Sequence, residues 1–297
     1  MGALMSHSKS KGMALFQVLL ITMVISILAL QFTQTAKNQI IIAATIVDRV
    51  QAQVNLKNTE SELLFALFTE VRTGQTSDEN QLAQHWNFHG KPFTTDENVK
   101  VSMQDQNGLI SLYKGRPQKL LESMINYLGV ENVSASVASN SLIDWQDGDD
   151  LIRANGAEAS YYGAPGMPTN MPLQTYSETQ NIRGFTPELV EALAPYVTIR
   201  PQTYFNPMTA PKEILAIVVG ADKANQIISL RETSSLSNSM FQQLSGIRQD
   251  EGINFSPSGL LKISLKSNVN DVILEKSIEI LVQPLNLHPL IEYQVIN

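Results

Sequence analysis

The sequence contains no cysteine among its 297 residues. Disulfide bridges, thiol nucleophiles and zinc sites built on thiolates are therefore excluded. A basic excess is also missing, because 21 lysines and arginines face 28 aspartates and glutamates, giving a formal net charge of −7. Proteins that bind nucleic acids usually carry a basic patch or stripe. The charge balance instead favours protein partners or divalent cations.

Charged residues are absent from Met13 to Phe32, a run of 20 residues. Such a run is long enough to cross the hydrocarbon core of a membrane as a helix. Lys9 and Lys11 precede it, so the positive-inside bias places the N-terminus in the cytoplasm and the rest of the chain outside. No small-residue cleavage pattern follows the run. We therefore expect the segment to stay attached as a membrane anchor.

Glycine and proline are absent between Gly12 and Gly74. These residues most strongly disfavour a helix interior, so the sequence predicts one helix over 13–73, with 13–32 in the membrane. Its outer half has apolar residues at helical spacing. That face could pack against neighbouring helices in a filament or only against the chain's own domain. It comprises Ile40, Ala44, Val47, Val50, Val54, Leu63, Leu64, Leu67 and Val71.

The remaining chain has two β regions separated by a helical one. A polar connector occupies 74–98, and apolar and polar residues then alternate over 99–113 around Asn107-Gly108, which predicts a β-hairpin. Alternation also runs through 258–297 and predicts an antiparallel meander. Between them, 114–250 contains helical patterns at 119–128, 187–194, 211–219 and 223–231. The fold class is therefore α+β, with helices inserted between the β regions 74–113 and 251–297.

An acidic cluster stands out within this helical region: Asp144, Asp147, Asp149, Asp150 and Glu158. Several hard oxygen ligands in one loop would suit Ca²⁺, although their spacing is not that of an EF-hand. A solvated acidic turn whose carboxylates cap helices explains the same residues. A third interpretation takes Asp147 and Asp149 as the paired carboxylates of a glycosidase or a metal-dependent phosphatase. The four histidines lie apart, without metal-ligand spacing.

Three segments of the sequence carry distinctive motifs. A short basic leader ends in Gly12 and is followed by Met13-Ala14-Leu15-Phe16, which is similar to a prepilin signal. The second segment is the run Asp144-Trp145-Gln146-Asp147-Gly148-Asp149, with Gly156-Ala157-Glu158 and Tyr161-Tyr162, and the third contains Asn206, Thr209 and Ala210. Together these segments resemble the K-type minor pseudopilins of bacterial type II secretion systems, although Met208 replaces an asparagine expected in the third.

The resemblance implies a long N-terminal helix packed on a small antiparallel sheet, with a SAM-like or helix-hairpin-helix-like insertion. It implies that prepilin peptidase cuts leader 1–12 between Gly12 and Met13, and that the new N-terminus is methylated. Gln17 is the fifth mature residue, where most pilins carry glutamate; its absence is typical of the K-type subunit at the filament tip. The resemblance also implies that Asp144, Asp147, Asp149, Asp150 and Glu158 bind calcium for stability rather than catalysis.

The partners implied are the I- and J-type minor pseudopilins, the major pseudopilin, the inner-membrane assembly platform and prepilin peptidase. The expected location is the inner membrane, with the C-terminal domain in the periplasm. Helix-hairpin-helix-like turns at Gly184 and Gly220 lack the basic clustering that phosphates require, so no nucleic acid is expected. Two alternatives to this non-enzymatic function remain: a minor pilin of a type IV pilus or DNA-uptake filament, and a membrane-tethered metal-dependent hydrolase.

Overall fold

The computed structural model describes residues 11–70, 72, 81–95, 97–115 and 117–296. Most of the leader 1–12 and part of the connector 74–98 therefore lie outside the described residues. The chain divides into two compact units. The first contains residues up to 55 together with Ser267–Leu274, and the second contains 56–266 with 275–297.

The first unit is built on the beginning of helix α1, which runs from Lys11 to Thr69. Within the described residues, α1 is the one helix long and apolar enough to cross a membrane, with a mean hydropathy of 2.6 in its most apolar window. Met13, Gln17 and Phe32 are all exposed in this segment. A membrane-spanning helix is expected to present apolar side chains such as Met13 and Phe32 to lipid.

The second unit contains the end of α1, whose Leu63, Ala66 and Leu67 are buried. The helix ends at Thr69, short of the expected end at 73. Beyond it, Arg72 Nη1 donates hydrogen bonds to the carbonyl oxygens of Val282, at 3.2 Å, and Ser258, at 3.5 Å. The chain therefore turns out of the helix where Arg72 reaches backbone acceptors at the end of the sheet.

A five-stranded sheet follows in the order β1-β2-β5-β6-β7. The β1/β2 and β6/β7 pairs are antiparallel. Apolar residues of β5 alternate with lysines and a serine, so Leu261, Ile263 and Leu265 are buried on one face. The expected C-terminal meander is confirmed. The strands of this sheet are Phe93–Thr94 (β1), Val99–Asp105 (β2), Leu260–Val269 (β5), Val272–Val282 (β6) and Leu290–Ile296 (β7).

The hairpin expected over 99–113 is wrong. Strand β2 is followed by a 3₁₀ turn at Gln106–Gly108, and the next strand, Ile110–Ser111 (β3), pairs in parallel with Val197–Thr198 (β4) in a separate sheet. The turn forms because the Asp105 carboxylate accepts the backbone N–H of Asn107 at 3.0 Å. A Cβ at Gly108 would overlap Thr209, so the chain leaves the five-stranded sheet by packing closely on residues of the insertion.

The four helices expected in the insertion are confirmed within one or two residues. Among the described helices that had no counterpart in the sequence prediction, the longest are Ala135–Gln146 (α4) and Asn238–Ser245 (α9). Their serine-rich sequences hide an apolar face: Ala138, Leu142 and Trp145 of α4 are all buried. The helices after α1 are Gln81–His85 (α2), Gln118–Leu128 (α3), Ala135–Gln146 (α4), Ala159–Tyr162 (α5), Pro187–Leu193 (α6), Lys212–Val219 (α7), Ala221–Glu232 (α8) and Asn238–Ser245 (α9).

Helices α3 to α9 share one hydrophobic core that extends from Ile110 to Phe255. Trp145, Leu189 and Phe241 are among its fully buried members. Burying an aromatic or leucine side chain contributes roughly 1.5–3 kcal/mol, so this core supplies much of the driving force that folds the insertion. The expected α+β class, with a long N-terminal helix, a small antiparallel sheet and a helical insertion, is confirmed.

Candidate functional site

Helix α4 places the first acidic residue of the cluster. Asp144 lies in the last turn of this helix and its side chain is wholly buried. The next residue, Trp145, packs into the core, and its Nε1–H donates to Glu178 Oε1 at 2.8 Å. The indole also meets the ring of Tyr162 edge to face, with centroids 5.2 Å apart. The expectation that all five acidic residues lie in one loop is therefore wrong, because Asp144 belongs to a helix.

A guanidinium joins the first two carboxylates. Arg153 Nη1 donates to Asp144 Oδ1 at 2.8 Å and also to Asp147 Oδ2. The backbone N–H of Arg153 donates to Asp144 Oδ2 at 3.2 Å. These hydrogen bonds to carboxylates raise the pKa of the Arg153 side chain. Asp144 and Asp147 are thus brought together, and the cation between them is one that the sequence prediction missed.

Glu158 lies beside this pair and is 2% exposed. Both of its carboxylate oxygens are buried without a hydrogen-bond partner among the described residues, and so is Asp147 Oδ1. Burial raises the pKa of Glu158 to about 7, and the charge of Asp144 adds to the shift, followed by those of Asp147, Asp150 and Asp149. An unpartnered buried carboxylate is unfavourable. Glu158 is therefore the acidic residue that most needs a cation.

The other two aspartates point to solvent. Asp149 and Asp150 are both exposed. Asp149 Oδ1 accepts the backbone N–H of Leu151 at 2.9 Å, which is the local turn that a short acidic side chain often makes. Asp149 thus behaves as the solvated-turn alternative expects, whereas Asp144, Asp147 and Glu158 do not.

Close backbone packing holds the acidic loop on the insertion. A Cβ at Gly156 would overlap Asp144 Oδ2, so only glycine fits against this carboxylate. The Gly156 carbonyl oxygen accepts a hydrogen bond from Arg183 Nη1 at 2.9 Å. The Arg183 guanidinium also lies 4.7 Å from the ring centroid of Tyr161. These contacts position Glu158, two residues after Gly156, against the end of α4.

The donors present suit a hard cation. Asp147 Oδ1 and the two oxygens of Glu158 are buried and free to accept, and carboxylate oxygens are the ligands that calcium prefers. In the described part of the chain, however, no three acidic or histidine side chains are already arranged to hold a metal ion. Arg153 Nη1 already donates hydrogen bonds to Asp144 Oδ1 and Asp147 Oδ2, so these two oxygens are occupied. Binding a metal would therefore require this loop to rearrange.

Sequence reasoning overlooked Arg153 and Gln146. Buried Gln146 donates to the Leu112 carbonyl oxygen at 2.9 Å, and its Oε1 accepts the backbone N–H of Lys114 at 3.0 Å. It thereby ties the end of α4 to the turn after β3. One signal for Arg153 was available, because it is the first cation after four aspartates in the sequence.

The chain was compared with known proteins. Residues 102–202 match the family described as type II secretion system (T2SS), protein K. Type II secretion system protein K of Klebsiella pneumoniae is 30% identical over 209 residues, covering 65% of this chain and 63% of that protein. A putative type II secretion system protein K of Escherichia coli K12 is 24% identical over 213 residues, covering 66% and 64%. The matches thus span slightly less than two thirds of these relatives' length.

One solved structure has the same fold. The crystal structure of the GspK-GspI-GspJ complex from the enterotoxigenic Escherichia coli type 2 secretion system contains a chain with 19% identity and a TM-score of 0.52. The similarity covers 89% of this chain and 98% of that one. The matched family segment contains the acidic cluster and helices α3 to α6. The chain is therefore similar in sequence to type II secretion system protein K, and it shares the fold of a chain in the GspK-GspI-GspJ complex.

Proposed function

We propose that this chain is a minor pseudopilin at the tip of the type II secretion pseudopilus. In this proposal it starts assembly with I- and J-type minor pseudopilins and supports export of folded proteins across the outer membrane. The observation that carries the proposal is the combination of an apolar N-terminal helix with an insertion between neighbouring strands β2 and β5. In this proposal the role is structural rather than catalytic, since subunit packing explains the apolar face that α1 exposes beyond its membrane run, which a simple membrane tether of an enzyme would not need.

The outer part of α1 supports assembly with other helices. Between residues 40 and 54 it exposes apolar side chains to an extent that a lone exported helix would not tolerate in water. In the proposal, this face packs on the helices of the partner and major pseudopilins, after the assembly platform has drawn the subunit from the membrane. The exposed residues are Ile40, Ile41, Ile42, Ile46, Val47, Val50 and Val54.

Processing is part of the same proposal. Prepilin peptidase removes the leader after Gly12, and the new Met13 is methylated while the anchor stays in the inner membrane and the rest faces the periplasm. Gln17 is uncharged, so this subunit has no carboxylate at position five to pair with the terminal amine of a subunit above it. An uncharged side chain at this position suits the last subunit of a filament, because an unpaired charge within lipid has a high free-energy cost.

The proposal also includes a calcium site formed by the acidic cluster. Asp144, Asp147 and Glu158 hold the ion, and the exposed Asp149 and Asp150 reach it if the loop rearranges. A bound ion would neutralise Glu158 and hold the loop that follows α4 in one conformation. The binding free energy would then offset the conformational entropy that a long loop loses on folding. The calcium part is tested by thermal unfolding of the full chain in detergent. Calcium should raise Tm above the value measured in chelator, and an unchanged Tm would contradict this part.

Co-purification tests the main proposal. The tagged full chain should recover the I- and J-type pseudopilins from detergent-solubilised membranes. Ile46→Asp should reduce recovery strongly, because it puts a charge on the exposed apolar face of α1. Gln51→Asp adds the same charge at an exposed polar position of the same helix and serves as the matched control. Recovery of neither partner, together with normal secretion in cells lacking the chain, would refute the proposal.

A further inference from the structure

Arg153 bridges two carboxylates of the acidic cluster. One nitrogen, Nη1, contacts carboxylate oxygens of both Asp144 and Asp147, and the backbone N–H holds the second oxygen of Asp144. The Asp144 side chain has no solvent exposure, whereas that of Arg153 is 39% exposed. An internal cation thus neutralises a carboxylate that solvent does not reach.

The cluster still lacks positive charge. Arg153 carries one charge but contacts two carboxylates, those of Asp144 and Asp147, and the Glu158 carboxylate lies beside these two aspartates. In the described part of the chain, Glu158 has no hydrogen-bond partner for either oxygen. Leaving a buried charge uncompensated is strongly unfavourable. A divalent cation would correct this deficit better than a single guanidinium.

The guanidinium and such an ion need the same oxygens. Calcium takes six to eight oxygen ligands at about 2.3–2.6 Å and accepts mono- or bidentate carboxylates. Arg153 now uses both oxygens of Asp144 and one of Asp147. Because the two cations also repel each other, an ion bound by these aspartates and a guanidinium between them are mutually exclusive.

The Arg153 side chain can move from the acidic cluster into a neighbouring groove. Its exposed side lines an open groove of ≈ 860 Å³, whose lining includes one other cation, Lys114, and the polar side chains of Gln118, Gln202 and Tyr204. These polar groups can accept hydrogen bonds from a guanidinium, and water fills the rest of an open groove. The side chain can therefore leave the cluster without burying an unpaired charge.

We propose that Arg153 is an internal competitor for calcium, an inference that rests on the calcium site proposed above. In the metal-free protein, Arg153 neutralises Asp144 and Asp147 and keeps the loop folded. When calcium binds, the side chain moves into the groove and its charge becomes available there. The exchange lowers the affinity for calcium, so the site responds to the calcium concentration rather than staying filled.

Calcium titration calorimetry on the full chain in detergent tests this inference. Arg153→Gln should bind calcium about tenfold more tightly than the unmodified chain, which corresponds to roughly 1.4 kcal/mol. Its Tm in chelator should fall, while its Tm in saturating calcium should stay near that of the unmodified chain. Arg248→Gln removes the same charge from an exposed position outside the cluster and should change neither quantity.

Arg153→Lys covers the case in which the glutamine variant does not fold without metal. A lysine ammonium can contact one carboxylate but not span two, so this variant should show an intermediate gain in affinity. Unchanged or weaker calcium binding by both variants, with clear binding by the unmodified chain, overturns the competition and leaves the calcium site standing. Absence of calcium binding by all three proteins overturns the site and the competition together.

Discussion

Arg200 and Glu279 connect the insertion to the five-stranded sheet. Arg200 Nε and Nη2 both donate to Glu279 Oε2, at 3.1 and 3.0 Å. The two side chains are only 16% and 18% exposed, and the guanidinium also lies 4.5 Å from the ring centroid of Tyr293. Glu279 is in β6, and Arg200 follows β4 of the insertion. This ion pair therefore helps to hold the insertion on the sheet.

Arg200→Ala should lower the free energy of unfolding by about 2 kcal/mol, because it leaves the largely buried Glu279 carboxylate without its partner and removes the contact with the Tyr293 ring. Lys266→Ala breaks a pair with Glu275 whose side chains are 48% and 64% exposed, and should cost less than about 1 kcal/mol. Urea unfolding measures both variants. Equal losses would show that the Arg200 pair contributes no more than an exposed pair.

Asp105→Asn should destabilise the chain by about 3 kcal/mol. The Asp105 carboxylate is fully buried and accepts hydrogen bonds from Asn107, Asn206, Thr209 and Ser258. An amide would turn an NH₂ group toward these donors and leave them unsatisfied. Asp250→Asn, at an exposed turn, is the control and should change little in the same urea experiment. A loss below 1 kcal/mol for Asp105→Asn would contradict this expectation.

His89 should make the chain sensitive to acid. Burial lowers the pKa of His89 to about 3, and the charges of Arg231 and Lys91 add to the shift. Since this pKa lies below the unfolded value near 6.5, stability is complete above pH 6.5 and is lost as pH falls toward 3. When the pH falls from 6.5 to 4, the free energy of unfolding should decrease by about 2–4 kcal/mol less for His89→Gln than for the unmodified chain. His288→Gln changes an exposed histidine and should follow the unmodified chain.

Gly156→Ala and Gly148→Ala form a matched pair in the acidic loop. A Cβ at Gly156 overlaps the Asp144 carboxylate, whereas one at Gly148 meets nothing within 4 Å. Gly156→Ala should therefore lower Tm by several degrees and weaken calcium binding, because it pushes the loop off the end of α4. Gly148→Ala should leave both measurements near the unmodified values. Similar results for the two variants would mean that the contact at Gly156 is unimportant.

Glu158→Gln should have opposite effects with and without metal. In chelator at pH 8 the variant should be more stable than the unmodified chain, because it removes a buried charge with no partner. The rise in Tm on adding calcium should be much smaller, because an amide offers one weak ligand instead of a carboxylate. Asp150→Asn changes an exposed acid of the same loop and should keep most of the calcium effect. A full calcium effect in Glu158→Gln would exclude Glu158 as a ligand.

Much of the fold could be predicted from the sequence because its elements have simple periodicity. The apolar run and the absence of glycine and proline predict α1, and the alternation around Leu261, Ile263 and Leu265 predicts β5. Helix α4 was missed because its polar face is made of serines, which usually favour caps and turns. Its buried face, Ala138, Leu142 and Trp145, is spaced as a helix requires, but only packing in the insertion decides the outcome.

The acidic cluster could be predicted as a set of residues but not as an arrangement. Spacing alone cannot show that Asp149 faces solvent while Glu158 is buried, since both depend on where the loop lies against Gly156 and Arg183. The same limit explains the wrong hairpin at Asn107-Gly108. The Asp105 carboxylate that accepts the Asn107 N–H in this turn also accepts hydrogen bonds from Asn206 and Thr209, more than 100 positions away, and no local pattern contains these contacts.

The Asp105 contacts have a consequence for how this chain could change over time. The segment that leaves β2 and the segment that comes back to β5 are both fastened to the same carboxylate, through Asn107 and Ser258. Their ends are therefore clamped side by side, between strands that are already neighbours. Loop closure depends only weakly on the length of what is enclosed. Both ends of the insertion are therefore held at one place on the five-stranded sheet. During evolution the insertion can become longer or shorter, or be replaced, without a change in the sheet itself.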